Sequence, residues 1–268
     1  MSLKKKLNSG KRIYGCAIVS PSTKWVNVVK QANLDFVFLD TEHMPLGRET
    51  LSHMCTMYSG IGIPPIVRIP SPDPYLACTA LDGGASAILA PYVETVKQVK
   101  ELVGAVKYRP LKGEKLQQIL DGKETLDGKL KNYIDIRCKN NLLFINVESQ
   151  PAFDSLPELL SVPGLDGVII GPHDLSCSMG LPEEYTHPDF EETVTRIIDQ
   201  CNTKNLGIGI HLSGEPEQQV KWARKGVNII FHSSDISLFG KILKHEISTI
   251  KTELKDDDAE SEYRSTTI

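Results

Sequence analysis

Eight short apolar runs, each followed by a stretch of helical character, recur from one end of the chain to the other. They are 13–20 (IYGCAIVS), 36–39 (FVFL), 65–69 (PIVRI), 87–90 (AILA), 142–147 (LLFINV), 167–170 (GVII), 207–212 (GIGIHL) and 228–232 (NIIFH). Rich in β-branched residues and mostly four to six residues long, they read as buried strands rather than helices. Helix signals fill the gaps. Ser22 is a candidate N-cap, Asp73-Pro74 and Glu215-Pro216 place a proline in the first turn, and 189–205 is amphipathic through Phe190, Val194, Ile197, Ile198 and Cys201. Eight strand–helix pairs in one chain predict an α/β fold of the (β/α)8 TIM barrel type. A doubly wound open sheet is the alternative, and it usually carries a glycine-rich phosphate turn after its first strand. Here IYGCAIVSPS is no GxGxxG, and no GxxxxGK[ST] occurs.

The length of 268 residues suits one such barrel over 1–254, followed by a polar tail, 255–268, expected to be poorly ordered. The charged, glycine-punctuated segment 110–140 interrupts the alternation. It is read as an insertion at the strand mouths, partly covering the site, or equally as a solvated surface excursion. A net charge of −4 argues against nucleic acid, and no apolar run reaches the roughly 18 residues of a membrane span. The N-terminus MSLKKKLNSGKR lacks the apolar core of a secretory signal. Six cysteines without CxxC spacing suggest reduced thiols and a cytoplasmic protein.

In a (β/α)8 barrel the chemistry gathers at the C-terminal ends of the strands. Those ends carry Asp40, Glu42 and His43 after strand two, Arg68 on strand three and Glu148 on strand five. His173 and Asp174 follow strand six in what reads as a loop, and His211 and Asp235 lie near strands seven and eight. Two acids at adjacent strand ends, Glu148 and Asp174, are suited to a divalent cation, although either alone reads as a cap or a turn. An arginine in a β run is costly to bury unpaired, so Arg68 is expected to meet an anion. Together these groups suit enolate chemistry, with a metal and Arg68 sharing charge on a carbonyl oxygen and a histidine moving a proton. Asp82 either caps its helix into Gly83-Gly84 or contacts His43.

The segments LDTEHMPLGRETL, PIVRIP, LDGGASAILAPYVET, INVESQPAF and GLDGVIIGPHDLSCSMG resemble the class II pyruvate aldolases typified by 4-hydroxy-2-oxo-heptanedioate aldolase. Their phosphoenolpyruvate/pyruvate superfamily also holds citrate lyase β chains and malyl-CoA lyases. The resemblance implies Glu148 and Asp174 as ligands of Mg2+, Mn2+ or Co2+, His43 as the proton-moving base, Asp82 as the acid that raises its basicity, and Arg68 as the group stabilising the enolate oxygen. It implies Arg68, Asn146, His173 and Asp174 as substrate contacts, pyruvate and an aldehyde as substrates, and a homo-oligomer, often a hexamer, that exchanges its last helix. Asn146 stands where glutamine is common, His173 where alanine is common, Ala17 where an aromatic residue is typical, and Lys112-Gly113-Glu114-Lys115 replaces an arginine-glycine motif. These departures bear on the aldehyde rather than on pyruvate. A citrate-lyase-like or malyl-CoA-lyase-like enzyme, or an inactive keto-acid-binding barrel, are the alternatives.

Overall fold

The computed structural model describes residues 2–212 and 214–256. It begins with a helix, α1 (Leu3–Asn8), whose six residues are too few to show a periodicity in sequence. Then follow β1 (Ile13–Ala17), α2 (Lys24–Gln31), β2 (Phe36–Asp40), α3 (Arg48–Gly60), β3 (Pro65–Arg68), α4 (Pro74–Asp82), β4 (Ala87–Ala90) and α5 (Val96–Lys107). Two helices, α6 (Gly113–Leu120) and α7 (Gly128–Cys138), precede β5 (Leu142–Val147), and two short ones, α8 (Gln150–Asp154) and α9 (Leu156–Leu159), precede β6 (Gly167–Ile170). The described chain ends with α10 (Pro172–Ser178), α11 (Pro188–Thr203), β7 (Gly207–Leu212), α12 (Pro216–Arg224), β8 (Ile229–Ser234) and α13 (Asp235–Leu254). The strands close into one parallel barrel in sequence order, with β8 pairing back onto β1. This is the (β/α)8 barrel that the alternation predicts.

Side chains alternate across each strand, so every second residue enters the barrel. Ile13, Phe36, Phe38, Ile66, Ala87, Leu89, Leu142, Phe144, Ile169, Ile229 and Phe231 form that inner core, which Leu3 and Leu7 of α1 close from below. The opposite faces of the strands, with Val37, Leu39, Val67, Ile88, Leu143, Ile145, Val168 and Ile170, pack under the helices. Gly15 makes room for this interior, because a Cβ there would lie 2.2 Å from the Phe36 ring. Local signals fix the helix starts. Asp73 accepts from Tyr75 N–H at 2.6 Å, and Thr95 forms a capping box with Gln98.

Three local expectations change. Segment 110–140 joins the end of α5 to the start of β5, so both of its ends lie at the N-terminal rim of the strands, away from the mouth. Its helices pack on α5, where Gly104 leaves space for Leu116 and Leu120. His173 and Asp174 lie in the first turn of α10, which Pro172 opens, rather than in a loop. The first strand stops at Ala17, because the Asp235 carboxylate takes the backbone N–H groups of Val19 and Ser20 at 2.9 and 3.0 Å. Beyond residue 256, the tail lies outside the described residues.

Phe231 is 1% exposed and packs its ring on Phe36 and Phe38, at centroid distances of 4.8 and 5.3 Å. Phe231→Ala is expected to destabilise the barrel by about 3–5 kcal/mol, read from chemical denaturation at constant m-value.

Candidate active site

The inward rows of side chains stay apolar until their last positions, where they turn polar. Phe36 and Phe38 are followed by Asp40, Ile66 by Arg68, and Phe144 by Asn146 and then Glu148 just past β5. The β2–β3 register sets Asp40 beside Arg68. Their contact is bidentate, with Arg68 Nε donating to Asp40 Oδ1 at 2.9 Å and Nη2 to Oδ2 at 2.6 Å. Glu42 Oε2 lies 3.1 Å from Arg68 Nε, and the guanidinium sits 5.6 Å from the centre of the Phe38 ring. The anion that a buried Arg68 requires is therefore Asp40, with Glu42 second. Burial opposes the arginine's charge, but Asp40, Glu42 and Glu148 outweigh it and raise its pKa. Burial also opposes ionisation of Asp40, and the hydrogen bonds and charge of Arg68 overcome it, leaving that pKa lowered.

Glu148 is 4% exposed. Tyr92 N–H donates to its Oε1 at 2.7 Å. Burial, with Asp174 and Glu42 adding repulsion, raises its pKa to about 7 against the stabilising Tyr92 N–H and Arg68. Gly171 forms the cradle for this carboxylate, since a Cβ there would lie 2.7 Å from Oε2. Asn146 is buried, donates Nδ2 to Ile169 O at 3.2 Å, and leaves its Oδ1 without a partner. Asp174 stands half-buried in the first turn of α10 and acts on Glu148 through its charge.

His43 and His173 edge the mouth. His43 is exposed, with Nε2 3.8 Å from Glu42 Oε2, and His173 Nδ1 is 3.7 Å from Glu183. Asp82 is not brought to His43 within the chain. It is the last residue of α4, at the rim opposite the mouth, and pairs there with Arg109. The carboxylate beside His43 is Glu42. His211 lies inside the barrel against Phe38 and Phe231, where burial and then Arg68 drive its pKa down to about 4. It is a neutral part of the floor. Asp235 serves structure through Val19 and Ser20, as above. Tyr92 lies within the segment LDGGASAILAPYVET, but the sequence assigns it no role; its left-handed φ of 51° just past β4 emerges only in three dimensions. A cavity of about 600 Å3 at the opposite rim is lined by Lys11, Arg12, Tyr14 and Asn205 and includes none of these groups.

An Arg–Asp pair, a buried glutamate and a second carboxylate gather at one barrel mouth. The model of the HpcH/HpaI aldolase/citrate lyase family matches residues 14–239. The chain belongs to that family. Among its relatives, a hydroxypyruvate/pyruvate aldolase of Roseobacter denitrificans is 30% identical over 209 residues, 78% of this chain and 81% of that one. A 2-keto-3-deoxy-L-rhamnonate aldolase of Klebsiella pneumoniae is 27% identical over 97% of each chain. Among solved structures, the HpcH/HpaI aldolase of Desulfitobacterium hafniense superposes with a TM-score of 0.81 at 24% identity, covering 94% of this chain and 97% of that one. The citrate synthase SbnG superposes with a TM-score of 0.81 at 25% identity, covering 95% and 99%.

The donor set of this HpcH/HpaI family member fits a hard divalent cation. Glu42, Glu148 and Asp174 bring excess negative charge toward one guanidinium, and oxygens of Glu42 and Asn146 are buried without hydrogen-bond partners. Among the described residues no three acidic, histidine or cysteine side chains form a metal-binding group. Among the described residues, no helix is long and apolar enough to cross a membrane.

The raised pKa of Glu148 links the site to stability. The unfolded chain releases this proton near the ordinary glutamate value of 4.5 and the folded chain near 7, so folding binds a proton between those limits and loses stability as pH rises through them. In chelator-treated protein, Glu148→Gln should raise Tm at pH 8 and have little effect near pH 4.5. Thermal unfolding across that range measures it, with a gain at pH 8 of up to ~3 kcal/mol.

Proposed function

We propose that this chain is a divalent-metal-dependent aldolase that forms and cleaves 4-hydroxy-2-oxo acids through a pyruvate enolate. The observation that carries the reading is the buried, cation-seeking Glu148 beside the Arg68–Asp40 pair at the C-terminal mouth of the barrel. Names of relatives, pyruvate aldolase and keto-deoxy-sugar-acid aldolase, support the same chemistry. Glu148 and Asp174 would hold the cation, and a structural neighbour from Mycobacterium tuberculosis, CitE, is described in complex with magnesium and acetoacetate. Bound there, Mg2+, Mn2+ or Co2+ would supply Lewis acidity toward the oxygens of the keto acid.

The chain's own groups do the rest. Pyruvate loses a methyl proton to His43, directly or through water, and the electron pair of that C–H bond becomes the enolate. The charge on the enolate oxygen is stabilised by Arg68, held in place by Asp40. Asn146 and the first turn of α10, with His173 and Asp174, orient the keto acid. The enolate carbon then attacks the aldehyde carbon, and the resulting alkoxide takes the proton back from His43. Cleavage runs these steps in reverse. The likeness to a citrate synthase supports a second reading, in which the same enolate adds to a keto acid.

This reading requires proton transfer before an aldehyde arrives. The metal-loaded protein should exchange pyruvate's methyl hydrogens for deuterium, seen by NMR, and a chelator should stop the exchange. Arg68→Ala should lower the rate by ~10²–10³ while metal affinity, measured by calorimetry, changes little. Pyruvate bound without labelling over hours would count against an aldolase.

The exchanged-helix oligomer belongs to the same proposal. In α13, Phe239, Ile242, Leu243, Ile247, Ile250 and Leu254 are all exposed, and only Asp235 at its start is buried. A groove lined by Tyr14, Val220, Ala223 and Ile230 runs over the barrel beside α12 and would receive a partner's helix. Ile242→Lys with Ile247→Lys should shift the protein from oligomer to monomer in sedimentation velocity, because lysines at these positions cannot be buried unpaired.

A further inference from the structure

Strand β8 ends irregularly where it meets β1. Gly15 lies opposite Phe231 and Ala17 opposite Ser234, so two steps of β1 face three of β8. The extra residue makes a β-bulge, which bends a strand and re-aims the chain beyond it. Within the bulge Ser233 takes a left-handed φ of 54°, a conformation that costs a non-glycine residue energy and persists where its surroundings over-determine it. Two contacts do so here. Ser234 Oγ accepts from Ser237 N–H at 3.2 Å and caps α13, and Asp235 grips the chain just past β1.

The grip has two points. Val19 N–H donates to Asp235 Oδ1 at 2.9 Å and Ser20 N–H to Oδ2 at 3.0 Å, and Asp235 is 5% exposed. Among the described residues, the backbone of Val19 and Ser20 is hydrogen-bonded to the rest of the barrel through Asp235 alone. These two residues belong to the loop from β1 to α2, and they stand beside the site. Ala17 pairs with Phe38, and Ile18 N–H reaches Phe38 O at 2.9 Å, so Val19 follows at the height of Asp40, the partner of Arg68. A carboxylate of α13 therefore holds a loop of the mouth.

α13 is also the helix whose apolar face lies open. Its 20 residues span about 30 Å. Within its own chain it is tied near its root, by Asp235 and by Lys241 Nζ, 2.6 Å from Glu215 Oε2. Beyond that root Leu243, Ile247, Ile250 and Leu254 are exposed. A long helix seated along its length on a second copy holds its root still. Unseated, it pivots there, and the carboxylate moves with it.

We propose that Asp235 couples assembly to catalysis: seating of α13 on a second copy fixes the loop from β1 to α2 at the mouth, and pyruvate binds tightly only when that loop is fixed. This rests on the aldolase reading and on its exchanged-helix oligomer. Asp235 acts as a positioning residue, through the backbone of Val19 and Ser20.

The test uses the full chain with Mn2+ and two readouts, pyruvate methyl exchange in D2O over a range of pyruvate concentrations and sedimentation velocity on the same samples. Asp235→Ala should stay assembled and raise KM for exchange about tenfold with kcat little changed, the scale of one lost hydrogen bond to a charged group. Ile242→Lys with Ile247→Lys should give a folded monomer with the same rise. All three substitutions together should raise KM no further, because both changes free one loop. Where Asp235→Ala does not fold, Asp235→Asn, which keeps one acceptor oxygen, takes its place in the comparison. A monomer with the wild-type KM, an assembled Asp235 variant with the wild-type KM, or effects that multiply to about a hundredfold overturns the coupling. A wild type that exchanges no pyruvate hydrogens overturns the aldolase reading, and one that sediments as a monomer overturns the oligomer; either takes this inference with it.

Discussion

A guanidinium inside a β-barrel is stable only when an anion meets it there, and the site depends on that pairing. The register of β2 against β3 puts Asp40 beside Arg68 at the last inward positions of their strands. Two parallel hydrogen bonds then fix the plane of the guanidinium above the Phe38 ring. The nearby titratable groups respond to this charge. His211, one layer below, is kept neutral by burial and by Arg68, whereas Asp40 is kept ionised. Removing Asp40 would leave a buried cation facing carboxylates that are less well aligned, and the floor of the site would have to rearrange.

Once Arg68 is matched by Asp40, the remaining acids are in excess. Glu42 and Glu148 are both raised in pKa chiefly by burial. A carboxyl poised near neutrality binds a cation in competition with its proton, so loading of the proposed metal is coupled to pH. Gly171, just past β6, leaves room for this carboxylate, since a Cβ there would lie 2.7 Å from Glu148 Oε2.

The two ends of the barrel divide stability from chemistry. At the N-terminal rim, charges are paired and satisfied. Lys107 meets Asp166 and also donates to Asn141 O at 2.7 Å, Asp166 accepts from Leu143 N–H at 2.7 Å, and Arg109 meets Asp82. At the opposite mouth, Asn146 Oδ1 is buried without a hydrogen-bond partner, and Glu42 Oε2 is buried with only its ion pairs to Arg68 and His43. Unmet hydrogen-bonding capacity costs stability, and at the mouth a ligand can supply the missing partner.

The sequence by itself determined the barrel, because eight apolar runs of strand length separated by helices leave few other ways to bury them. It also placed Arg68, Glu148 and Asp174 at the mouth, since strand polarity decides which rim a residue reaches. The same logic, applied to helices, puts Asp82 and segment 110–140 at the other rim, because a helix ends where the next strand begins. Which side chains touch was decided only by the tertiary structure. The pairing of Asp40 with Arg68 depends on strand register, the closeness of Glu42 to His43 on the fold of a loop, and the hydrogen bond from Tyr92 N–H to Glu148 on a turn with one left-handed φ. Alternation along a strand is a local property of the chain, whereas contact across the mouth is set by how eight strands twist and close around it.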